Sequence, residues 1–442
     1  MNSINILKIY AKHQNLPLKF TVFYYAFTVL LSILGPVKYF DNAYKYWLVL
    51  PFVTGVCFCL YIGYYLGKYA KPKTIFFRCE HYITRSEYHL IKTTLIVSVF
   101  SLVLELAYLI SINHFSLNLF HFGELYNTRI TDNVNLIILI RFLCSPFRMI
   151  STALGIYKFH QLPRRAKRIL ILNVVLNILV FLFGYGNQKG VANIVIYLIV
   201  AIYINRIRKN GKLSKNTVKL IGTVLTGAFL LFSYVQYLRF EPLGINAANF
   251  HHFSSGEFYF DTDYFIFKVF GEKIGFGMAC ILSSYLSQGY YGLSLCMQLP
   301  FVWSFGLGSS FVVSRVLDKF VGIGGIFERT YLNRLTETFG RNGLASWNTI
   351  FPWLASDYTW LGAMLFFILI GYFMSKAWKE VILNNNIVSY LVLINVLILV
   401  LFTPANNQLF HGYDSFFSTW FIIIFWIFFR GKYMHECKNS KD

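Results

Sequence analysis

Three cations stand in stretches of the sequence where a positive charge is unusual. Arg141 interrupts the apolar run Leu136-Ile-Ile-Leu-Ile-Arg141-Phe, and Lys189 is the one charge in the glycine-rich segment Gly184-Tyr-Gly-Asn-Gln-Lys189-Gly190. Arg239 ends an aromatic run that begins at Tyr234. Because a charge inside a bilayer is unfavourable, such a residue faces a cavity or has a partner. We treat these cations as candidate anion-binding groups. The alternatives are that Arg141 extends to the lipid headgroups and that Lys189 is solvated at a turn.

A second group of cations lies in a more polar part of the chain. Arg329, Arg334 and Arg341 fall within 13 residues, and Trp347 and Trp353 follow them. Guanidinium groups bind phosphate oxygens through paired hydrogen bonds, and tryptophan faces can stack on sugar rings. This pattern is typical of a site for a sugar diphosphate. Alternatively, neighbouring glutamates neutralise the arginines, and the aromatic rings pack this segment onto the membrane.

A third feature suits proton transfer. The polar segment Asn406-Asn-Gln-Leu-Phe-His411-Gly-Tyr-Asp414 places a histidine three residues before a carboxylate. Histidine is the side chain whose ordinary pKa lies nearest to neutral pH, so His411 is a candidate acid or base. A histidine on a surface is also often inert, and the sequence leaves both interpretations open.

The elements that carry these residues are membrane-spanning helices. Of the 442 residues, 56% are hydrophobic and 13% are charged, and the mean hydropathy is +0.54. Soluble domains have about 25% charged residues, so this composition excludes an ordinary soluble protein. A spanning helix needs roughly 20 mostly apolar residues. The sequence predicts ten such spans, at 20–37, 46–67, 92–112, 134–157, 168–185, 191–206, 217–238, 359–376, 387–403 and 415–430.

The positive charges predict the orientation of these spans. Of the 40 Lys and Arg residues, 26 lie in the termini and in alternate connections. By the positive-inside rule, both termini and these basic connections are cytoplasmic. The net charge of +21 is therefore explained by membrane topology, and we expect no nucleic-acid partner.

The predicted fold class is an all-α polytopic bundle with about ten transmembrane helices and one large external loop. Residues 1–238 form seven spans, 239–358 form the external (periplasmic) region, and 359–442 form three spans and a cytoplasmic tail. The external region has 8 basic and 9 acidic residues. Its apolar stretches, Gly275 to Leu286 and Gly292 to Phe301, are predicted to be short interfacial or re-entrant helices. The less favoured alternative is an extra pair of crossings. Cys280 and Cys296 are able to pair if this region is oxidising.

Sequence signatures of soluble enzymes are missing. The chain has no GxxxxGK[ST] phosphate loop, no HExxH zinc helix, no GxSxG elbow and no GxGxxG motif that opens a helix. We therefore expect no metal and no cofactor, and a substrate that is already activated and is presented from the membrane.

The arrangement resembles the Wzy family of bacterial O-antigen, or oligosaccharide repeat-unit, polymerases. The resemblance is strongest from Arg141 to Phe417. It rests on the glycine-rich hairpin around Lys189, the aromatic end of the seventh span at Arg239, and two segments of the external region. These segments are Gln288-Gly-Tyr-Tyr-Gly-Leu-Ser-Leu295 and Trp347-Asn-Thr349 with Ala355-Ser-Asp357-Tyr358-Thr-Trp-Leu-Gly362. Many members have Arg in the hairpin, where this chain has Gln188 and Lys189.

The resemblance implies a glycosyl transfer at the outer face of the bacterial inner membrane. The growing glycan on undecaprenyl diphosphate would move onto a newly flipped lipid-linked repeat unit. The cations Arg141, Lys189, Arg239 and Arg341 would then stabilise the diphosphate leaving group. Either Asp357 or His411 would act as the base. Tyr290, Tyr291, Trp347 and Trp353 would stack on sugars.

The resemblance also implies partners, namely a chain-length-regulating co-polymerase and a flippase. The alternatives from other classes are a flippase or transporter of lipid-linked oligosaccharides, an O-antigen ligase or related membrane glycosyltransferase, and a structural membrane subunit. The transporter alternative lacks support from an internal repeat of matched halves.

Overall fold

The computed structural model describes residues 3–40, 44–70, 83–118, 121, 125, 136–253, 257–317, 322 and 324–439. Of these described residues, 78% are helical. Besides helices, the described part of the chain contains one ribbon of two short strands. The predicted fold class, an all-α polytopic bundle, is therefore confirmed.

The first 240 residues supply one short helix and seven long ones within the described ranges. These are α1 (Ser3–His13), α2 (Leu16–Leu34), α3 (Tyr46–Tyr69), α4 (Arg85–Ser111), α5 (Leu136–Tyr157), α6 (Arg164–Ile178), α7 (Lys189–Asn210) and α8 (Lys215–Phe240). Helix α6 continues as wider, π-helical turns over Leu179–Gly184.

The region that follows contains shorter elements. Its helices are α9 (Phe250–Phe253), α10 (Phe265–Ile281), α11 (Gln288–Cys296), α12 (Phe311–Val316), α13 (Ile326–Arg329) and α14 (Tyr331–Phe339). Strand β1 (Val37–Tyr39) pairs antiparallel with β2 (Phe258–Phe260), so that Val37 lies opposite Phe260. The sequence does not predict this ribbon, because strands of three residues are too short to show an alternating pattern.

The C-terminal region contains α15 (Ile350–Asn384), α16 (Ile387–Phe402) and α17 (Tyr413–Asn439). Among the described residues, nine helices are long and apolar enough to cross a membrane: α2 to α8, α15 and α17. Helix α16 is apolar but has only 16 residues. It is buried almost throughout, which agrees with its lack of a polar face. These ten helices correspond to the ten predicted spans.

The long helices run in alternating directions, which gives the bundle two distinct ends. One end, which we call the basic end, carries lysines and arginines of the connections. There, Arg208 donates to the carbonyl of Val381 at 2.6 Å, and Lys379 donates to the carbonyl of Lys68 at 3.1 Å. These cations therefore cover the carboxyl ends of α15 and α3, where they offset the helix dipoles. The opposite, distal end contains the turn at Gly184, the described residues between 241 and 349, and the segment from 403 to 412.

Helices α3 and α15 approach each other very closely at glycine. A Cβ atom on Gly63 would lie 1.9 Å from the carbonyl oxygen of Ile368, and one on Gly371 would lie 2.3 Å from that of Leu60. Glycine permits this approach because it has no side chain, and small residues mark many helix contacts in membranes. The large buried core extends from this pair of helices to α2, α11 and α16.

Helix α11, in the region between 239 and 358, packs into the bundle. All nine residues of α11 are buried, and the Tyr290 hydroxyl lies 2.9 Å from the Thr28 hydroxyl of α2. Thr28 is six residues before the end of α2 at Leu34, or about 9 Å at 1.5 Å per residue. Helix α11 therefore packs inside the distal end of the bundle, against α2. The interfacial or re-entrant helices predicted for these apolar stretches, and the extra pair of crossings, stay predictions.

Two further features concern the boundaries and thiols of this region. Helix α15 is broken at Thr359, whose φ of 62° is outside the helical range. This break lies at the boundary expected between residues 239–358 and 359–442. Cys280 and Cys296 are free, buried thiols in separate hydrophobic clusters. The pairing considered for them is therefore wrong.

Candidate functional site

Five charged side chains meet at the distal end, where α4, α5, α7 and α17 come together. We call Glu105, Arg141, Arg148, Lys189 and Asp414 the charge cluster. It holds three cations and two carboxylates, so these five residues carry a net charge of +1. A site with excess positive charge in partly apolar surroundings attracts an anion.

Arg141 lies between the two carboxylates of the charge cluster. Its Nε donates to Asp414 Oδ2 at 2.6 Å, and its Nη2 also lies 2.6 Å from that oxygen. Its Nη1 lies 3.4 Å from Glu105 Oε1. The guanidinium group is 4.9 Å from the centre of the Tyr185 ring. Arg141 therefore points to partners inside the bundle and does not extend toward lipid headgroups.

Glu105 is the buried member of the pair of carboxylates. Its side chain is 1% exposed, whereas that of Asp414 is 32% exposed. Besides Arg141, it pairs with Arg148 and accepts a hydrogen bond of 2.8 Å from the Tyr185 hydroxyl. A buried carboxylate with two arginine partners is compensated for the loss of its water.

Sequence analysis missed Glu105 and Arg148, although both leave a signal. Glu105 is the one acidic residue in the apolar part of α4, from Leu95 to Ser111. Arg148 follows Arg141 by seven residues, which is two helical turns and places both on one face of α5. An intramembrane charge of this kind indicates that a partner of opposite charge is nearby. Glu105 and Arg148 are partners of each other.

Lys189 is the least engaged cation of the charge cluster. It begins α7, and its charge acts on Asp414, Arg141 and His411. Its ammonium group makes no hydrogen bond or ion pair within the described part of the chain. The structure thus brings together three of the predicted residues, Arg141, Lys189 and His411.

His411 lies between two aromatic rings. Its ring stacks on Phe311 with centroids 5.2 Å apart, and Trp353 meets it edge-on at 5.3 Å. Burial lowers the pKa of His411 to about 4, and the positive charge of Lys189 adds to this effect. Its Nδ1 is buried and has no hydrogen-bond partner among the described residues. The imidazole is therefore neutral at neutral pH and is a weak proton acceptor.

Arg239 anchors the hairpin that carries Lys189. It is 9% exposed, and its Nη2 donates to the carbonyl of Gly186 at 2.9 Å. Its Nη1 lies 3.4 Å from Gln236 Oε1. Arg239 therefore binds the glycine-rich hairpin, which leads to Lys189, to the end of α8.

Arg341 belongs to a different, enclosed group. It is 1% exposed and pairs with Glu257. It also donates to the carbonyl of Trp347 at 2.8 Å and lies 5.3 Å from the centre of the Tyr291 ring. Burial raises the pKa of Glu257, and the neighbouring guanidinium opposes this rise. These contacts fasten β2 and the segment around Trp347 to α11.

Three of the four aromatic residues predicted to stack on sugars are packed inside the protein. Tyr290, Tyr291 and Trp353 are at most 6% exposed, so they have no open ring face. Trp347 is half-buried, and its ring centre is 4.7 Å from that of Tyr285. These three rings pack against other parts of the protein, which differs both from sugar stacking and from packing onto the membrane.

The carboxylate of Asp357 accepts hydrogen bonds from a neighbouring loop. One carboxylate oxygen accepts hydrogen bonds from the Ser304 hydroxyl at 2.5 Å and the Gly308 amide at 3.0 Å. The other accepts from the Ser309 amide at 2.6 Å. These three donors give Asp357 a structural role in holding residues 304–309. They leave it poorly suited to act as a base.

The described residues contain no group of three or more His, Cys, Asp and Glu side chains placed to hold a metal ion.

No protein-family model matches the chain, and no curated protein or solved structure matches it either. The fold and its apolar helices define the chain as a multi-pass membrane protein. Its distinguishing feature is the charge cluster at the distal end.

Proposed function

We propose that this protein is a repeat-unit polymerase of the Wzy type, a membrane glycosyltransferase that uses a polyprenyl-diphosphate-linked glycan as donor. The observation that carries the proposal is the charge cluster. It combines an excess of cations with a partly exposed carboxylate, at the end of the bundle where the long region folds back. The resemblance over Arg141 to Phe417 points to the same activity.

The leaving group in this reaction is a diphosphate, which gains negative charge as its bond to the sugar breaks. Lys189 is available to bind it, since no carboxylate pairs with its ammonium group in the described part of the chain. Arg141 becomes available when the diphosphate displaces the partly exposed Asp414 from it. Glu105 stays in position because it is buried between two arginines. Preorganised cations at a developing charge are commonly the largest source of catalysis.

The exchange on Arg141 also supplies a base. The acceptor hydroxyl oxygen attacks the anomeric carbon, a new C–O bond forms, and the bond between that carbon and the diphosphate oxygen breaks. The diphosphate leaves with the electron pair, and the hydroxyl proton moves to the released Asp414 carboxylate. Asp414 replaces Asp357 and His411 in this role. Asp357 is bound by its loop, and the pKa of His411 is lowered by burial.

The orientation follows from the charges of the connections. We infer that the basic end is cytoplasmic, by the positive-inside rule, and that the distal end faces the periplasm of a cell with an inner membrane. Undecaprenyl-diphosphate-linked oligosaccharide and membrane lipid are then its direct ligands. A flippase that delivers the repeat units and a co-polymerase that sets chain length are its expected partners.

The test compares surface glycans after gene deletion and complementation. In deletion cells, we expect single repeat units on the surface and no ladder of longer chains. Wild type and Lys273→Met restore the ladder, because Lys273 is an exposed cation outside the charge cluster. Lys189→Met and Asp414→Asn do not, although equal amounts of protein reach the membrane. Loss of one such stabilising group lowers the rate by roughly a hundredfold or more.

Other results would point elsewhere. Loss of all surface repeat units in deletion cells would indicate a flippase. Full-length chains that stay on the polyprenyl carrier would indicate a ligase. An unchanged ladder from both cluster variants would overturn the proposed site, and unchanged glycans in deletion cells would overturn the proposed function.

A further inference from the structure

Residues 300–309, which we call the aromatic loop, expose three large rings. Phe301 is 43%, Trp303 51% and Phe305 53% exposed, whereas Ser304 between them is fully buried. Phe305 has a φ of 60°, a value that non-glycine residues rarely adopt. The backbone at Phe305 is therefore in an unfavourable conformation. Such a conformation persists only where neighbouring contacts stabilise it.

The aromatic loop is rigidly braced. Asp357 accepts three hydrogen bonds from its Ser304, Gly308 and Ser309, as described above. The Arg329 Nε donates to the carbonyl of Trp303 at 2.6 Å, and its guanidinium group covers the Phe305 ring at 4.8 Å. A loop with this many restraints presents its rings in a fixed position.

The bracing also ties the loop to α15 near its break. The Ser304 amide donates to the carbonyl of Ser356 at 3.2 Å, three residues before the break of α15 at Thr359. Beyond the break, α15 exposes a stripe of leucines at helical spacing, Leu361, Leu365 and Leu369, with exposures of 62%, 48% and 53%. In a spanning helix this stripe contacts lipid chains. The aromatic loop therefore lies where the lipid-facing surface of α15 begins.

We propose that the aromatic loop is an interfacial anchor that inserts Phe301, Trp303 and Phe305 into the boundary between headgroups and acyl chains at the distal end. Tryptophan favours this boundary because its ring is apolar and its N–H is polar. The anchor would set how deeply the distal end of the protein sits in the membrane. In this proposal the role of Asp357 is to hold the aromatic loop, independently of any catalytic activity.

The experiment measures quenching of tryptophan fluorescence by lipid. The full chain is reconstituted in phosphatidylcholine vesicles with or without bromine on the upper part of the acyl chains. The contribution of Trp303 is obtained as wild type minus Trp303→Phe. We expect bromolipid to lower this contribution about twofold or more. The control, wild type minus Trp347→Phe, should be quenched less, because Trp347 packs against Tyr285.

Asp357→Asn provides a second measurement, since it weakens the bracing of the loop. In this background, bromolipid should quench Trp303 less than in the wild type, as measured against the double variant Asp357→Asn/Trp303→Phe. The proposal is overturned if bromolipid leaves the Trp303 contribution unchanged while aqueous iodide quenches it. It is also overturned if Trp303 responds to added oligosaccharide but not to bromolipid, because the loop would then be a glycan-binding surface.

Discussion

Replacing Glu105 by glutamine should destabilise the protein strongly, because it removes the one fully buried carboxylate of the charge cluster. Glu105 lies 3.4 Å from Arg141 and pairs more closely with Arg148. At an effective dielectric constant of about 20, two unit charges 3.4 Å apart attract by about 5 kcal/mol. The Gln side chain keeps the shape and one hydrogen-bond acceptor but loses this attraction. Removal of one partner from a buried ion pair usually destabilises by about 3–5 kcal/mol, and we expect a loss in that range.

The assay is unfolding by denaturant in detergent micelles, followed by tryptophan fluorescence. Asp263→Asn is the matched control, because the Asp263–Lys268 pair has a similar distance of 3.8 Å but side chains that are 93% and 66% exposed. This control should unfold like the wild type, since exposed ion pairs contribute little. Arg148→Met in the Glu105→Gln background should restore about 1–3 kcal/mol, because it removes an uncompensated buried charge.

Two results would refute this reasoning. If Glu105→Gln unfolds at the same denaturant concentration as Asp263→Asn, Glu105 does not balance the arginines. If Arg148→Met makes the Glu105→Gln protein still less stable, the two side chains are not coupled as a charge pair.

Two further predictions concern pH and packing. The pKa of His411 is lowered from 6.5 to about 4, so the unfolded state binds more protons between these values and stability falls as the pH falls. Between pH 7.5 and pH 5 the loss of stability is about 2 kcal/mol. His411→Phe should remove this part of the pH dependence of the apparent melting temperature. Equal pH dependence in both proteins would contradict the lowered pKa of His411. Gly277→Ala should destabilise by about 1–3 kcal/mol, because its Cβ would lie 1.9 Å from the Ser233 carbonyl oxygen. Gly227→Ala, whose Cβ would have no neighbour within 4 Å, should unfold no earlier than the wild type, and similar unfolding of both variants would show that α8 and α10 are not in close contact.

Some residues of the candidate site can be predicted from the sequence, and others cannot. Arg141 and Lys189 were predictable, because a charge in an apolar or glycine-rich stretch is conspicuous by itself. Asp357 was predicted as a base from its place in a motif. Its carboxylate is instead taken up by three donors from residues about 50 positions earlier in the chain. The resemblance suggests Tyr290, Tyr291 and Trp353 as sugar-stacking residues, but the fold buries all three.

The sequence by itself determined the class of the protein and the approximate positions of its ten long apolar helices. A run of about 20 apolar residues is a local property, and its transfer from water to lipid does not depend on distant residues. Only the tertiary structure decided which charges are partners, since Glu105, Arg141, Lys189 and Asp414 come from four helices. It also decided that α11 enters the bundle. These outcomes depend on the distances between side chains far apart in the chain, because electrostatic attraction and burial act through space.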